Sequence, residues 1–221
     1  MSRSIFITLL LVVTSVFAAT AQSKSFTGTI TYKITYPASA SSPLIAALPT
    51  SINMQVSGNK AKFEITLPNG KQTIIANGDE ISVTRLIENA EGKFFIKKTK
   101  EEFKKEATAV VTPLKETKTV AGQKCKGAEL TVTDKGGRTQ KSKVFYSDEL
   151  GVNNIYFNTV AKSIKGIMLD FDYAALGTAM HLTATQITPG RISNKTFEIP
   201  SGYKEITEAQ LQQMRQARKN K

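Results

Sequence analysis

Few side chains in this sequence could do chemistry, and they are scattered. His181 is the only histidine and Cys125 the only cysteine among 221 residues. A Ser-His-Asp relay would have to run through His181, and no Gly-x-Ser-x-Gly elbow offers the serine. The run Met180-His181-Leu182-Thr183 alternates, so the histidine is expected on one face of a strand in a structural role. One His and one Cys, without carboxylates clustered at ligand spacing, speak against a transition-metal site. No Walker loop or dinucleotide fingerprint is present. Asp170 and Asp172 share a parity, and a carboxylate pair would suit calcium or glycoside chemistry. Their alternation with Leu169, Phe171 and Tyr173 predicts something plainer: the aspartates face water and the apolar residues face the core. Cys125 has no partner for an intramolecular disulfide and is expected to be a buried apolar filler. Taken together, these residues predict a protein that is not an enzyme, and they call for no cofactor.

The elements around these residues read as a β-meander. Ile30, Tyr32, Ile34 and Tyr36 alternate with Thr29, Thr31, Lys33 and Thr35, the period of a half-buried antiparallel strand. Further strands are predicted at 51–56, 60–67, 71–76, 80–87 and 93–98, separated by Ser57-Gly58-Asn59, Pro68-Asn69-Gly70, Asn77-Gly78-Asp79 and Glu91-Gly92. The spacing of Glu101, Phe103, Lys105 and Ala107 predicts a helical turn within 99–107. Strands resume at 116–133, 139–146, 155–157, 167–174, 179–188 and 195–199. Thr207-Glu208-Ala209-Gln210 has capping-box form, with Ile206 and Leu211 placed as a hydrophobic staple, and predicts a C-terminal helix. Its thin apolar stripe, Leu211 and Met214, predicts a peripheral position. The fold class is mainly β: a curved antiparallel sheet with a few short helices and a C-terminal helix, in a single domain over 22–221.

The first 21 residues have the form of a cleavable signal peptide. Arg3 supplies the charge, Ile5 to Phe17 the apolar stretch, and Ala19-Thr20-Ala21 the small residues before the cut. The apolar run is shorter than the roughly 20 residues a bilayer-spanning helix needs. Export to the periplasm or beyond is therefore expected. The chain carries +12, and +11 once Arg3 is lost with the signal peptide. Outside the cytoplasm that charge is expected to meet anionic lipid headgroups or acidic glycans rather than nucleic acid. Between Pro43 and Pro49, the run Leu44-Ile45-Ala46-Ala47-Leu48 is too apolar for a merely solvated connection.

Thr117-Lys118-Thr119-Val120-Ala121-Gly122-Gln123-Lys124-Cys125-Lys126-Gly127-Ala128 resembles the signature of a family of small secreted Bacteroidota-type proteins known as a domain of unknown function. Gly28-Thr29-Ile30-Thr31-Tyr32, Gly166-Ile167-Met168-Leu169 and Phe197-Glu198-Ile199-Pro200-Ser201-Gly202-Tyr203-Lys204 resemble its other blocks, in order. The resemblance implies a half-open β-barrel similar to periplasmic lipoprotein carriers of the LolA/LolB type, which hold acyl chains in an apolar groove. On this footing the expected function is binding of a lipid, acyl chain or other hydrophobic ligand in the cell envelope. Leu44, Ile45 and Leu48 are the expected lid contacts, with Lys97, Lys98, Lys104 and Lys105 nearest an anionic headgroup. Peripheral membrane contact fits the same picture. The alternative is a structural or protein-interaction module that pairs through exposed edge strands.

Overall fold

The computed structural model describes residues 25–37, 47–103, 108–133, 136–175 and 178–219. The expected signal peptide, Leu44, Ile45, Lys104 and Lys105 lie outside them. Among the described residues the chain forms one sheet of twelve strands that does not close into a barrel. The strands are β1 (Thr27–Thr35), β2 (Ser51–Ser57), β3 (Lys60–Leu67), β4 (Gly70–Asn77), β5 (Ser82–Asn89) and β6 (Gly92–Lys98), then β7 (Thr108–Val120), β8 (Gln123–Thr133), β9 (Thr139–Ser147), β10 (Ile167–Ala175), β11 (Thr178–Pro189) and β12 (Lys204–Glu205). Their spatial order is β12-β6-β5-β4-β3-β2-β1-β11-β10-β9-β8-β7. Two antiparallel meanders, β1–β6 and β7–β11, are thus sewn together where β1 pairs with β11. The parallel pairing of β12 with β6 makes the sheet mixed.

The meander turns form where glycine was read. The strand expected over 116–133 is instead broken at Ala121-Gly122. Both residues take positive φ, 47° and 78°, and close a two-residue hairpin between β7 and β8. An alanine in that conformation hides the signal that an Asn-Gly pair would have given. Two other expected strands are absent. Residues 155–157 lie in a run of turns, and 195–199 overlaps a 3-10 turn at Asn194–Phe197. The helical turn expected within 99–107 is present as a 3-10 turn, Lys100–Glu102.

The chain after β11 wraps the edge of the first meander. Its 3-10 turn contacts β3. Tyr203 then donates its hydroxyl to Glu88, β12 pairs with Phe94 and Phe95 of β6, and helix α1 (Glu208–Lys219) follows. The predicted capping box is formed: Thr207 Oγ1 accepts from the Gln210 N–H at 3.2 Å, and Gln210 Oε1 accepts from the Thr207 N–H at 2.8 Å. Leu211 buries against Ile87 and Ile96, with Ile206 beside it. The wrap matters because an exposed edge strand is a template for unwanted pairing.

Candidate functional site

The site is assembled by strand alternation. Directly paired residues share a face, so the pairs Met54–Phe63, Phe63–Ile74 and Ile74–Arg85 carry one row across the first meander. At the seam Tyr32 pairs with Ala184 and Ile34 with Leu182, and on β10–β11 Phe171 pairs with Leu182 and Tyr173 with Met180. The apolar members of these rows, Ala184 excepted, face a cavity of about 220 Å³. A loop spanning 148–166 crosses this face and supplies the roof: Ile155, Tyr156, Val160 and Ala161 line the cavity from above.

The roof is pinned at its root. The Asn154 side chain donates to the Gly78 carbonyl at 2.7 Å, the Asn153 N–H donates to Asn59 Oδ1 at 3.1 Å, and the Phe26 N–H donates to the Leu150 carbonyl at 2.9 Å. A Cβ at Gly78 would lie 2.2 Å from the Asn154 carbonyl oxygen, so glycine is needed there for close approach. Successive turns at 156–159, 159–162 and 161–164 then bury Ala161 and Ile164 and leave Val160, Lys162 and Lys165 outside.

Of the three tyrosines that line the cavity, Tyr32 and Tyr156 are buried or half-buried and bond the backbone of Met168, and Tyr173 is exposed. A register shift lies between Met168 and Asp170 on the β9–β10 ladder. The Tyr32 hydroxyl donates to the Met168 carbonyl at 2.9 Å, and the Met168 N–H donates to the Tyr156 hydroxyl oxygen at 3.0 Å. Side chains thus take the backbone groups of Met168 at the bulge. Burial pushes both phenols well above their ordinary range, so they stay neutral. The Phe171 ring meets Tyr32 edge-on at 6.0 Å.

The same bulge overturns one expectation. Asp170 does not face water: it is 5 % exposed, while Asp172 is exposed. The irregular pairing around Leu169 interrupts strict alternation, so Ile167, Met168, Leu169 and Asp170 are all buried in succession. Lys118 Nζ lies 2.5 Å from Asp170 Oδ2 and 5.4 Å from the Phe145 ring centroid. His181 Nε2 lies 3.2 Å from Asp170 Oδ1, and its Nδ1 lies 2.7 Å from Asp172 Oδ1. The histidine is therefore a bridge between two carboxylates, with neither ring nitrogen left to activate a nucleophile. Asp170 and His181 lie on the face opposite Phe171 and Leu182, away from the cavity. Cys125 is fully buried in the core with Ile30 and Leu169, and burial pushes its thiol up.

The expected contacts are distributed differently. Leu48 is half-buried and is not among the cavity-lining residues. Neither is Lys97, which is exposed, nor Lys98, whose ammonium lies 3.0 Å from Glu208 on α1. Burial raises the Glu208 carboxyl, but Lys98 and Arg85 outweigh it and hold the group below its ordinary range. The residues that sequence reasoning missed are those of the roof. Their spacing has no strand or helix period, and Ile155-Tyr156-Phe157 alone looked like a short strand.

No protein-family model matches the chain, and no curated protein matches it. No helix among the described residues is long and apolar enough to cross a membrane.

Proposed function

We propose that the protein is a non-enzymatic binding protein of the cell envelope that holds a single apolar chain, an acyl tail or a hydrocarbon of similar width, between the sheet and the 148–166 roof. The observation that carries this reading is the cavity itself. Most of its wall is Ile, Met, Phe, Leu, Val and Ala side chains, with Ser142, Lys143, Asn158, Thr159 and Asp172 also in the lining, and the Tyr32 and Tyr156 hydroxyls are already bonded to Met168. An apolar ligand lying against the apolar wall therefore leaves both of those bonds in place. At about 220 Å³ the space holds roughly seven groups at about 30 Å³ each, the volume of a water or a methylene. One short chain, or the end of a longer one, fits that space. The likeness of Thr117–Ala128 and its companion blocks to carrier-like secreted proteins points the same way and rests on those motifs alone.

Calorimetric titration with n-alcohols of increasing length tests the reading. Affinity should rise about fourfold per added methylene, the equivalent of about 0.8 kcal/mol each, and level off near eight carbons. Ala61→Leu, which puts three carbons into the cavity wall, should shift that plateau to a shorter chain. Affinity that is absent, or that ignores chain length, rejects it.

A second reading, strand pairing with another chain, draws on β7, which ends the sheet and leaves Val110 62 % exposed. Pro113 removes one N–H from that strand and makes it a poorer template.

A further inference from the structure

Among the described residues three large apolar side chains are exposed: Val110, Val160 and Tyr173. Two of them, Val160 at 38 % and Tyr173 at 40 %, also line the cavity. They mark its mouth, where apolar surface continues from the interior to the outside of the molecule. Val160 belongs to the short turns of the roof, and two and five residues further on, Lys162 and Lys165 are exposed, with no acidic side chain among the described residues within salt-bridge distance of either. The carboxylate of Asp172, which also lines the cavity beside Tyr173, is taken by His181 at 2.7 Å, and Glu208 is occupied by Arg85 and Lys98 together. An apolar rim edged with free cations is complementary to one kind of surface, a bilayer rich in anionic headgroups, where each lysine near the interface adds attraction and the apolar side chains reach the acyl boundary. A protein partner would be expected to answer Lys162 and Lys165 singly, whereas a lipid surface answers them by its charge density.

We infer that the cavity mouth is a membrane-docking surface: Val160 and Tyr173 insert at the interface of an anionic bilayer, and Lys162 and Lys165 hold the headgroups. Docking in this pose sets the mouth against the acyl region, so an apolar chain can pass between bilayer and cavity without crossing water. The inference gives a route to the binding site proposed above but does not need an occupied cavity.

Sedimentation with vesicles tests it. The protein should pellet with phosphatidylcholine–phosphatidylglycerol vesicles at low salt and stay in solution with phosphatidylcholine alone. Lys162→Gln combined with Lys165→Gln should weaken that binding roughly thirtyfold. Lys60→Gln combined with Lys62→Gln removes equal charge from β3, away from the mouth, and should leave it unchanged. Because the chain has no tryptophan, Val160→Trp supplies a single reporter at an exposed position. Its emission should shift to the blue and be quenched by brominated lipid. The inference is overturned if anionic vesicles are not bound, if the Lys60 and Lys62 pair matters as much as the roof pair, or if binding leaves the reporter unshifted. Titration with n-alcohols needs no bilayer, so loss of docking and loss of ligand binding are read separately.

Discussion

The two meanders of the sheet are built from the same strands and turns, yet they differ in regularity. Every ladder from β1 to β6 runs without a register shift. The second meander breaks step between Pro113 and Thr117 and again between Met168 and Asp170. Charged pairs in the first meander sit at the surface, as where Lys71 lies 3.1 Å from Glu64. In the second, a carboxylate is buried and answered from two other strands. The regular half is a wall. The irregular half carries the features that a wall cannot hold: a roof, the bulge that orients two tyrosines, and an enclosed ion pair.

Removing charges one at a time should sharpen that contrast. Lys118→Ala leaves the Asp170 carboxylate buried with only His181 beside it and should cost about 3 kcal/mol in urea unfolding. Asp170→Asn leaves the half-exposed Lys118 free to turn to solvent and should cost about half as much. Lys71→Ala, the comparable change in the first meander, should stay below about 1 kcal/mol. Equal losses at Lys71 and Lys118 would erase the distinction. At the wrap that guards the first meander, Thr207→Ala removes the helix cap and should cost about 1 kcal/mol, read as a lower unfolding midpoint and faster amide exchange in α1.

The smallest effect concerns acid. The Tyr203 hydroxyl, with Lys71 and Lys93 behind it, holds the Glu88 carboxyl below its ordinary range. A carboxylate depressed in the folded state contributes stability above its unfolded pKa and loses it as pH falls through the folded value. The wrap should therefore loosen on acidification through the carboxylate range. Tyr203→Phe should flatten that dependence by an amount worth under about 1 kcal/mol, followed by proteolysis of the segment after β11 as pH is lowered.

The same contrast governs what could be read from the chain. Where Gly58, Gly70, Gly78 and Gly92 punctuate alternating runs, the strands of the first meander emerge within two residues of their observed bounds, and the helix cap is found at Thr207. Residues 148–166 carry no period, because a roof held by turns and side-chain anchors buries whichever residues its path demands. Asp170 looked exposed for a related reason: alternation predicts faces only while register holds, and a bulge consists of its loss. The partnership of Lys118 with Asp170 joins residues 52 apart in sequence. No local pattern encodes it.

The seam between β1 and β11 has a consequence in time. Thr185 donates its hydroxyl to the Thr31 carbonyl across 154 residues of chain. Strand β1 thus waits for β11 before its second side is paired. Until then the N-terminal meander stands with β1 as a bare edge, and loop closure over such a separation is slow. A chain of this design keeps that edge open until β11 is in place. Any product cut short before residue 178 should therefore keep β1 as an open edge and tend to aggregate.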